Sequence, residues 1–424
     1  MDLLVIGSGG REHALIKALA RSPRVGMIYA APGNGGIAAD AMCVDLNVTN
    51  LDQVVHFATE KAIDFVVVAP DDPLAAGMID ALEAAGIAAF GPTKAAAQIE
   101  SSKVFSKGLM RKYGIPTADY ESFDDPAAAV AHLKQKNCYP AVIKADGLAL
   151  GKGVVIAESE AEAVAAIHSM MEEGVFGESG RRVVIEDFLT GLEVSVLAFT
   201  DGETIRPMVS SMDHKRALDG DKGLNTGGMG TIAPHPYYTP ALAARCMEEI
   251  FLPTIRAMKA EGRVFKGCLF FGLILCADGP RVIEYNCRFG DPETQVVLPL
   301  LESDLLEIML AVHEGRLEQC PIAWKDASAA CVVIASGGYP TSYQKGYPIY
   351  GLNAAGQIAI PNVEVYHAGT RAVDGRYFSN GGRVLGVTAT GKTLPQALET
   401  AYRAANAIGF EGSSFRRDIG AKVL

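Results

Sequence analysis

The first ninety residues alternate between short apolar runs and helix-like stretches, and this rhythm constrains the fold more than any other feature of the chain. "DLLVI" reads as a buried strand, Arg11 to Arg21 as a helix, and "MIYAA" as a second strand. "LDQVVHFATEKA" then reads as a helix, "DFVVVA" as a strand and "PLAAGMIDALEAAG" as one long helix. Strand–helix–strand units of this kind imply a parallel sheet covered by helices on both faces. Ligands on such sheets sit beyond the carboxyl ends of the strands. The loops at those ends are "GSGGRE", "APGNGG" and "APDDP", rich in the residues that let backbone approach a ligand closely.

The rest of the chain departs from that pattern. "SKVFSKGLMRKYG" reads as a basic helix stopped at Gly114, with Pro116 preventing continuation. A small α+β region follows, in which strands "PAVIK" and "GVVIAE" flank a glycine loop. A second mixed sheet spans about 190 to 315, and a further region runs from about 325. The expected division is an N-terminal βαβ domain at 1–100, a central domain at 101–324 with a small lid subdomain at about 118–189, and a C-terminal α+β domain at 325–424. A length of 424 residues suits several domains.

Composition narrows the function. A net charge of −11 disfavours a broad nucleic-acid surface, so an anionic substrate would need a local cluster of cations. No run of about 18 apolar residues occurs, so no membrane span is expected. The eight cysteines are scattered without a C-x-x-C pair, which argues for free thiols in a reducing compartment. The opening residues lack the pattern of a secretory signal. A cytoplasmic enzyme is the expectation.

Three loops invite a phosphate reading. "GSGGRE" would be a dinucleotide loop if position 12 were glycine, but it is Glu12. It still offers backbone N–H groups at a helix start and Arg11; a plain βα turn is the alternative. "GLALGKG" is not the phosphate loop of strand–loop–helix proteins, because Gly153 follows Lys152 and the loop joins two strands. It reads either as a nucleotide lid or as a hairpin. "DHKRALDGDKGLNTGGMG" is a long polar loop in an otherwise compact region, and such loops are usually functional or mobile. Its His214 suits an orienting hydrogen bond as well as catalysis.

Two strand ends add carboxylates. In "PRVIEYNCRFGDPETQ", Glu284 and Asn286 are two apart on a strand and share a face. An oxygen pair of that kind suits Mg²⁺, and Arg288, Asp291 and Glu293 follow at once. In "VVIEDFLTGLEVS", Glu186, Leu189 and Glu193 surround a strand-to-linker crossing able to meet an adenine edge and a ribose. Taken singly, each could be an ordinary solvent-facing strand end.

Together these stretches resemble the ATP-grasp superfamily, and within it the glycinamide ribonucleotide synthetase family. The likeness is carried by "VIGSGGREHAL", "FGPTKAAAQIESSKVFSK", "VIKADGLALGKGV", "IEDFLTGLEVS", "DHKR", "NTGGMG", "IEYNCRFGDPETQ" and "NGGRVLGVTA", in order along nearly the whole chain. The resemblance implies an ATP-grasp core with a lid and ATP-dependent ligation of glycine to 5-phosphoribosylamine through glycyl phosphate. ATP and Mg²⁺ or Mn²⁺ are the implied cofactors, small molecules the implied partners, and a monomer the implied state. Carried over, Lys103 and Lys144 approach ATP, and Gly147, Gly151, Lys152 and Gly153 form the lid. Glu186 and Leu189 meet adenine, Glu193 meets ribose, and Glu284 and Asn286 hold the metal. Arg288, Asp291 and Lys144 act on the reacting groups. Gly9, Gly10, Arg11, Asp71, Asp72, Asp213, His214 and Lys215 line the substrate sites. One departure is that the strand "CLFFGLILC" carries no further metal carboxylate. A related ligase using formate or bicarbonate, and a nucleotide-binding module without catalysis, are the competing readings.

Overall fold

The computed structural model describes residues 1–148 and 153–424. The expected alternation gives a five-stranded parallel sheet, ordered Met42–Cys43, Ile28–Pro32, Leu3–Gly7, Phe65–Val68, Ala89–Phe90. Leu3 and Val5 face one apolar core, while Leu4 and Ile6 face another, so both sides of the sheet are covered. That double burial explains why its strands read as unbroken apolar runs. The helix expected over "PLAAGMIDALEAAG" is in fact two, Asp71–Ala76 and Met78–Ala84. Gly77 between them sits at φ +104°, in the left-handed region that ends a helix.

The central region holds two antiparallel sheets. One is ordered Ile205–Pro207, Leu192–Thr200, Gly267–Cys276, Gly279–Asn286. The other is the lid subdomain, ordered Tyr120–Phe123, Val183–Asp187, Ala141–Ala145, Val154–Ala157, with helices Pro126–Lys136 and Glu160–Met171 against it. Half of the twelve buried residues in the lid's own core are alanine. Alanine buries little area, so this body gains less from packing than the two large cores.

The last sheet is ordered Met212–Asp213, Gly230–Ala233, Ser328–Ala335, Arg383–Gly391, Val363–His367. Its first two strands precede residue 325, and Gly230–Ala233 pairs directly with Ser328–Ala335. The boundary expected near 325 therefore runs through a set of strand pairings. All eight cysteines are free. Among the described residues no helix is long and apolar enough to cross a membrane.

Candidate active site

The site is built around strand Gly279–Asn286, at the edge of its sheet. Tyr285 turns into the core, with its ring edge-on to Phe271 and its hydroxyl 2.9 Å from Thr254. Glu284 and Asn286, flanking it, take the other face, as a period of two requires. Opposite Glu284 in the neighbouring strand lies Gly272, where a Cβ would stand 3.0 Å from Glu284 Cγ. That crowding explains why "CLFFGLILC" carries no carboxylate at this level.

Four cations converge on Glu284. Lys144 comes from strand Ala141–Ala145, Lys103 from the start of helix Lys103–Tyr113, Lys215 from the loop after Met212–Asp213, and Arg288 from beyond the strand. Burial alone would raise the Glu284 carboxyl; these four charges outweigh it and hold the group below its ordinary range. Lys215 Nζ lies 3.2 Å from Glu193 and 3.9 Å from Glu284. Glu193, with Asp213 and Glu284, raises Lys215 well above its usual value against the effect of burial.

The base of the glycine hairpin is fastened to the same region. Asp146 accepts from Val104 N at 2.8 Å and from Ser102 Oγ at 3.0 Å, and pairs with Arg182 at 2.5 Å. Lys103 Nζ donates to the Gly147 carbonyl at 2.9 Å. Gly153 closes the far side by accepting Ala145 N. Gly151 and Lys152 lie outside the described residues. Deeper in the lid, the Glu186 carboxylate is shared by Lys107 at 2.8 Å and Lys144 at 2.9 Å. Lys144 also donates to Ile283 O, and Lys107 to Thr117 Oγ1, which in turn donates to Val282 O. Two buried lysines thus bridge Glu186 to the strand that carries Glu284. Burial brings Lys107 down to about 8 despite Glu186. Leu189 is half-buried and Glu193 exposed beside this group.

The N-terminal loop meets the same centre from the opposite side. Glu12 folds back to accept from Gly9 N and Arg11 Nε, each at 2.6 Å, filling the space over Gly7 and Gly9. Arg11 also donates to Phe289 O, and a Cβ on Gly10 would strike Gln295 Nε2 at 2.6 Å. Asp71 stands 3.8 Å from Arg288, whereas its neighbour Asp72 is exposed.

Two expected roles change. His214 is buried, with Nδ1 3.3 Å from Gly230 O and Nε2 accepting from Gly420 N at 3.0 Å. Burial lowers it to about 4, so the ring is neutral, and neither nitrogen is left for a substrate. It fastens the chain's final segment, together with Arg416, which pairs with Asp221 and Asp418 while Gly220 N donates to Asp418. Asp291, expected to meet the glycine ammonium, has both oxygens engaged: Oδ1 by Gln295 at 2.7 Å and Oδ2 by Arg383 at 3.2 Å. Glu293 is less committed. Burial and the neighbouring Asp213 push it up to about 7.

Glu284 and the Asn286 amide supply two oxygen donors. Among the described residues no group of three His, Cys, Asp or Glu side chains is placed to hold a metal. Two protein oxygens suit Mg²⁺, which commonly completes its shell with water and substrate phosphates.

Comparison with known proteins gives the family. The domains described as phosphoribosylglycinamide synthetase match in series: the N domain over residues 1–100, the ATP-grasp (A) domain over 101–294, and the C domain over 329–422. The chain belongs to the phosphoribosylglycinamide synthetase family. Among its relatives, the phosphoribosylamine–glycine ligase of Agrobacterium fabrum is 50% identical over 424 residues, covering 100% of this chain and 99% of that protein. The ligase of the same name from Caldanaerobacter subterraneus subsp. tengcongensis is 46% identical, covering 99% and 100%. The crystal structure of phosphoribosylamine–glycine ligase from Thermotoga maritima superposes with a TM-score of 0.83 at 34% identity, over 99% of this chain and 100% of that one.

Local sequence pattern passed over Glu100, Lys107 and Arg383, which the structure places beside Arg288, Glu186 and Asp291 in turn. Glu100 had a signal: it is an acid in the last turn of helix Lys94–Ser101, where the helix dipole disfavours negative charge. Lys107 lies four residues from Lys103 and therefore on the same helix face. Arg383 had no local signal, because its partners Gly227, Gly228 and Asp291 are far away in the chain.

Proposed function

We infer that the chain ligates glycine to 5-phosphoribosylamine at the expense of ATP, yielding glycinamide ribonucleotide, ADP and phosphate for purine biosynthesis. The observation that carries this reading is the convergence of Lys103, Lys144, Lys215 and Arg288 on Glu284. Joining a carboxylate to a γ-phosphate brings two anions together, and such a cluster offsets that charge as it develops.

In the proposed sequence a glycine carboxylate oxygen attacks the γ-phosphorus, and the bond to ADP breaks. The resulting glycyl phosphate is attacked at its carbonyl by the amine of phosphoribosylamine; the carbon–oxygen bond breaks, phosphate leaves and the amine gives up a proton. Arg288, with Asp71 and Glu100 near its guanidinium, is placed to bridge phosphate and carboxylate in one plane. A Mg²⁺ or Mn²⁺ ion held by Glu284 and Asn286 would, when bound, neutralise phosphate charge. Lys103 and Lys144 approach the ATP phosphates, Glu186 and Leu189 the adenine, and Glu193 the ribose. Gly9, Gly10, Arg11 and Asp71 line the phosphoribosylamine site. The Asp213–Glu293 pair takes the glycine ammonium in place of Asp291. A monomer in the cytoplasm completes the reading.

Glycine labelled with heavy oxygen in its carboxylate tests it. One labelled oxygen should pass to inorganic phosphate per turnover. Unlabelled phosphate released alongside product would overturn the acyl phosphate, and equal ADP release with formate or bicarbonate would overturn the choice of acid.

A further inference from the structure

Glu100 occupies a position that neither substrate chemistry nor lid closure explains. Its carboxylate is buried at the end of helix Lys94–Ser101, with 7% of the residue exposed. Oε2 accepts from Cys287 N at 2.7 Å. Oε1 accepts from Asn286 Nδ2 at 3.0 Å and pairs with Arg288 Nη2 at 3.1 Å. Burying a carboxylate is costly unless hydrogen bonds and an opposite charge compensate, and here both are present.

The consequence concerns the Asn286 amide. Its nitrogen faces two groups, Glu100 Oε1 and Tyr285 O, each at 3.0 Å. The Tyr285 carbonyl can only accept, and Glu100 Oε1, which also meets the donor-only Arg288 guanidinium, accepts as well. Turning the amide over would set its oxygen against both of them, so the oxygen must point away, on the side shared with Glu284. The same Glu100 oxygen holds one arm of the Arg288 guanidinium, while Nη1 donates to Phe289 O at 3.3 Å, which fixes the plane of the group.

We propose that Glu100 is a positioning residue that orients the Asn286 oxygen toward a divalent cation and the Arg288 guanidinium toward the reacting anions. It touches neither metal nor substrate. The proposal rests on the nucleotide–metal reading above and deepens it.

The test replaces Glu100 in the full chain and reads Mn²⁺ affinity of the ADP complex by water-proton relaxation. Glu100→Gln keeps the shape but must set an N–H either against Cys287 N or against Asn286 and Arg288, which share Oε1, so one donor on this segment loses its acceptor. It should weaken Mn²⁺ binding by about tenfold or more, within the range known for residues that orient metal ligands. ADP affinity without metal should stay within about threefold. Glu100→Asp keeps an acceptor that can reach the same donors and should bind Mn²⁺ at least about threefold tighter than Glu100→Gln, which a merely space-filling role would not produce. Glu100→Asp binding Mn²⁺ no tighter than Glu100→Gln, or Glu100→Gln binding it within about twofold of the unaltered protein, would overturn the proposal. Failure of the unaltered protein to bind ADP would overturn the nucleotide reading itself, and the proposal with it.

Discussion

The described base of the glycine hairpin and the strand that ends in Glu284 and Asn286 lie beside the same lysines, yet they are held in opposite ways. The lid has a core half made of alanine and is tied at its base by contacts close to the hairpin, from Lys103, Asp146, Arg182 and Ser179. The segment after Asn286 is tied from everywhere. Cys287 is buried in one large core and Phe289 in the other, Glu100 holds it from the preceding helix, Arg11 from the N-terminal domain, and Arg383 from the last sheet. Weak packing suits the proposed lid role of the first region, whereas a group that meets a transition state needs fixed geometry. The two regions divide those demands.

The largest test of this contrast is on the rigid side. Arg288→Lys and Glu284→Gln should each lower kcat about a hundredfold with the fold intact: the first keeps the charge but loses the planar two-pronged donor, and the second removes a carboxylate where phosphate is transferred. If Arg288→Lys instead raised only the glycine KM, the guanidinium would be a ground-state anchor. Next comes Arg383→Met, far from the chemistry in sequence. Its loss leaves Asp291 and the carbonyls of Gly227 and Gly228 without their donor. Stability should fall by roughly 3 kcal/mol in denaturant unfolding, and kcat/KM about tenfold. Unchanged stability would mean that the last sheet does not brace this segment.

On the lid side the effects should be smaller and confined to nucleotide binding. A Cβ on Gly147 would meet Ser179 Oγ at 2.2 Å. Gly147→Ala should raise the ATP KM about fivefold, by the cost of a modest clash, and Ser179→Gly should recover most of it. A fall in kcat without a change in KM would place the loop in the chemistry instead. The least effect is on stability against pH, and there the two regions should slope in opposite directions. Glu293, beyond the rigid strand, is raised from 4.5 to about 7, so the folded state binds the extra proton and stability falls as pH rises through that window. Lys107, under the lid, is lowered from 10.5 to about 8, so the unfolded state binds the extra proton and stability rises between 8 and 10.5. Each slope should reach about 1.4 kcal/mol per pH unit at most and vanish in Glu293→Gln or Lys107→Met. A slope that survives its substitution would assign it to another group.

The same division explains what could be read from the chain alone. Alternation named the parallel sheet because each of its strands is buried on both faces, and residues two apart placed Glu284 beside Asn286. The one helix that divides in two was missed at Gly77, since a single glycine within a helical pattern does not announce a left-handed turn. Lys103, Lys144, Lys215 and Arg288 were each picked out separately, for different roles, and nothing local in the sequence said that all four would lie near Glu284. His214 takes the orienting hydrogen bond that was one of its two readings, and Asp291 is held by Arg383; nothing near either in sequence names Gly420 or Arg383 as the partner. Residues whose partners lie hundreds of positions away are invisible to local pattern, and the rigid half of the site is made mostly of these.

That distance has a consequence during synthesis. The loop bearing Asp213 and Lys215 is fastened through His214 to Gly420, 206 positions later. Gly220 is likewise held by Asp418, 198 positions later. A ribosome delivers the loop long before its fastener. A nascent chain can therefore complete its parallel sheet and its lid while this loop still waits, and the loop beside Glu193 and Glu284 is secured only once the clamp has emerged.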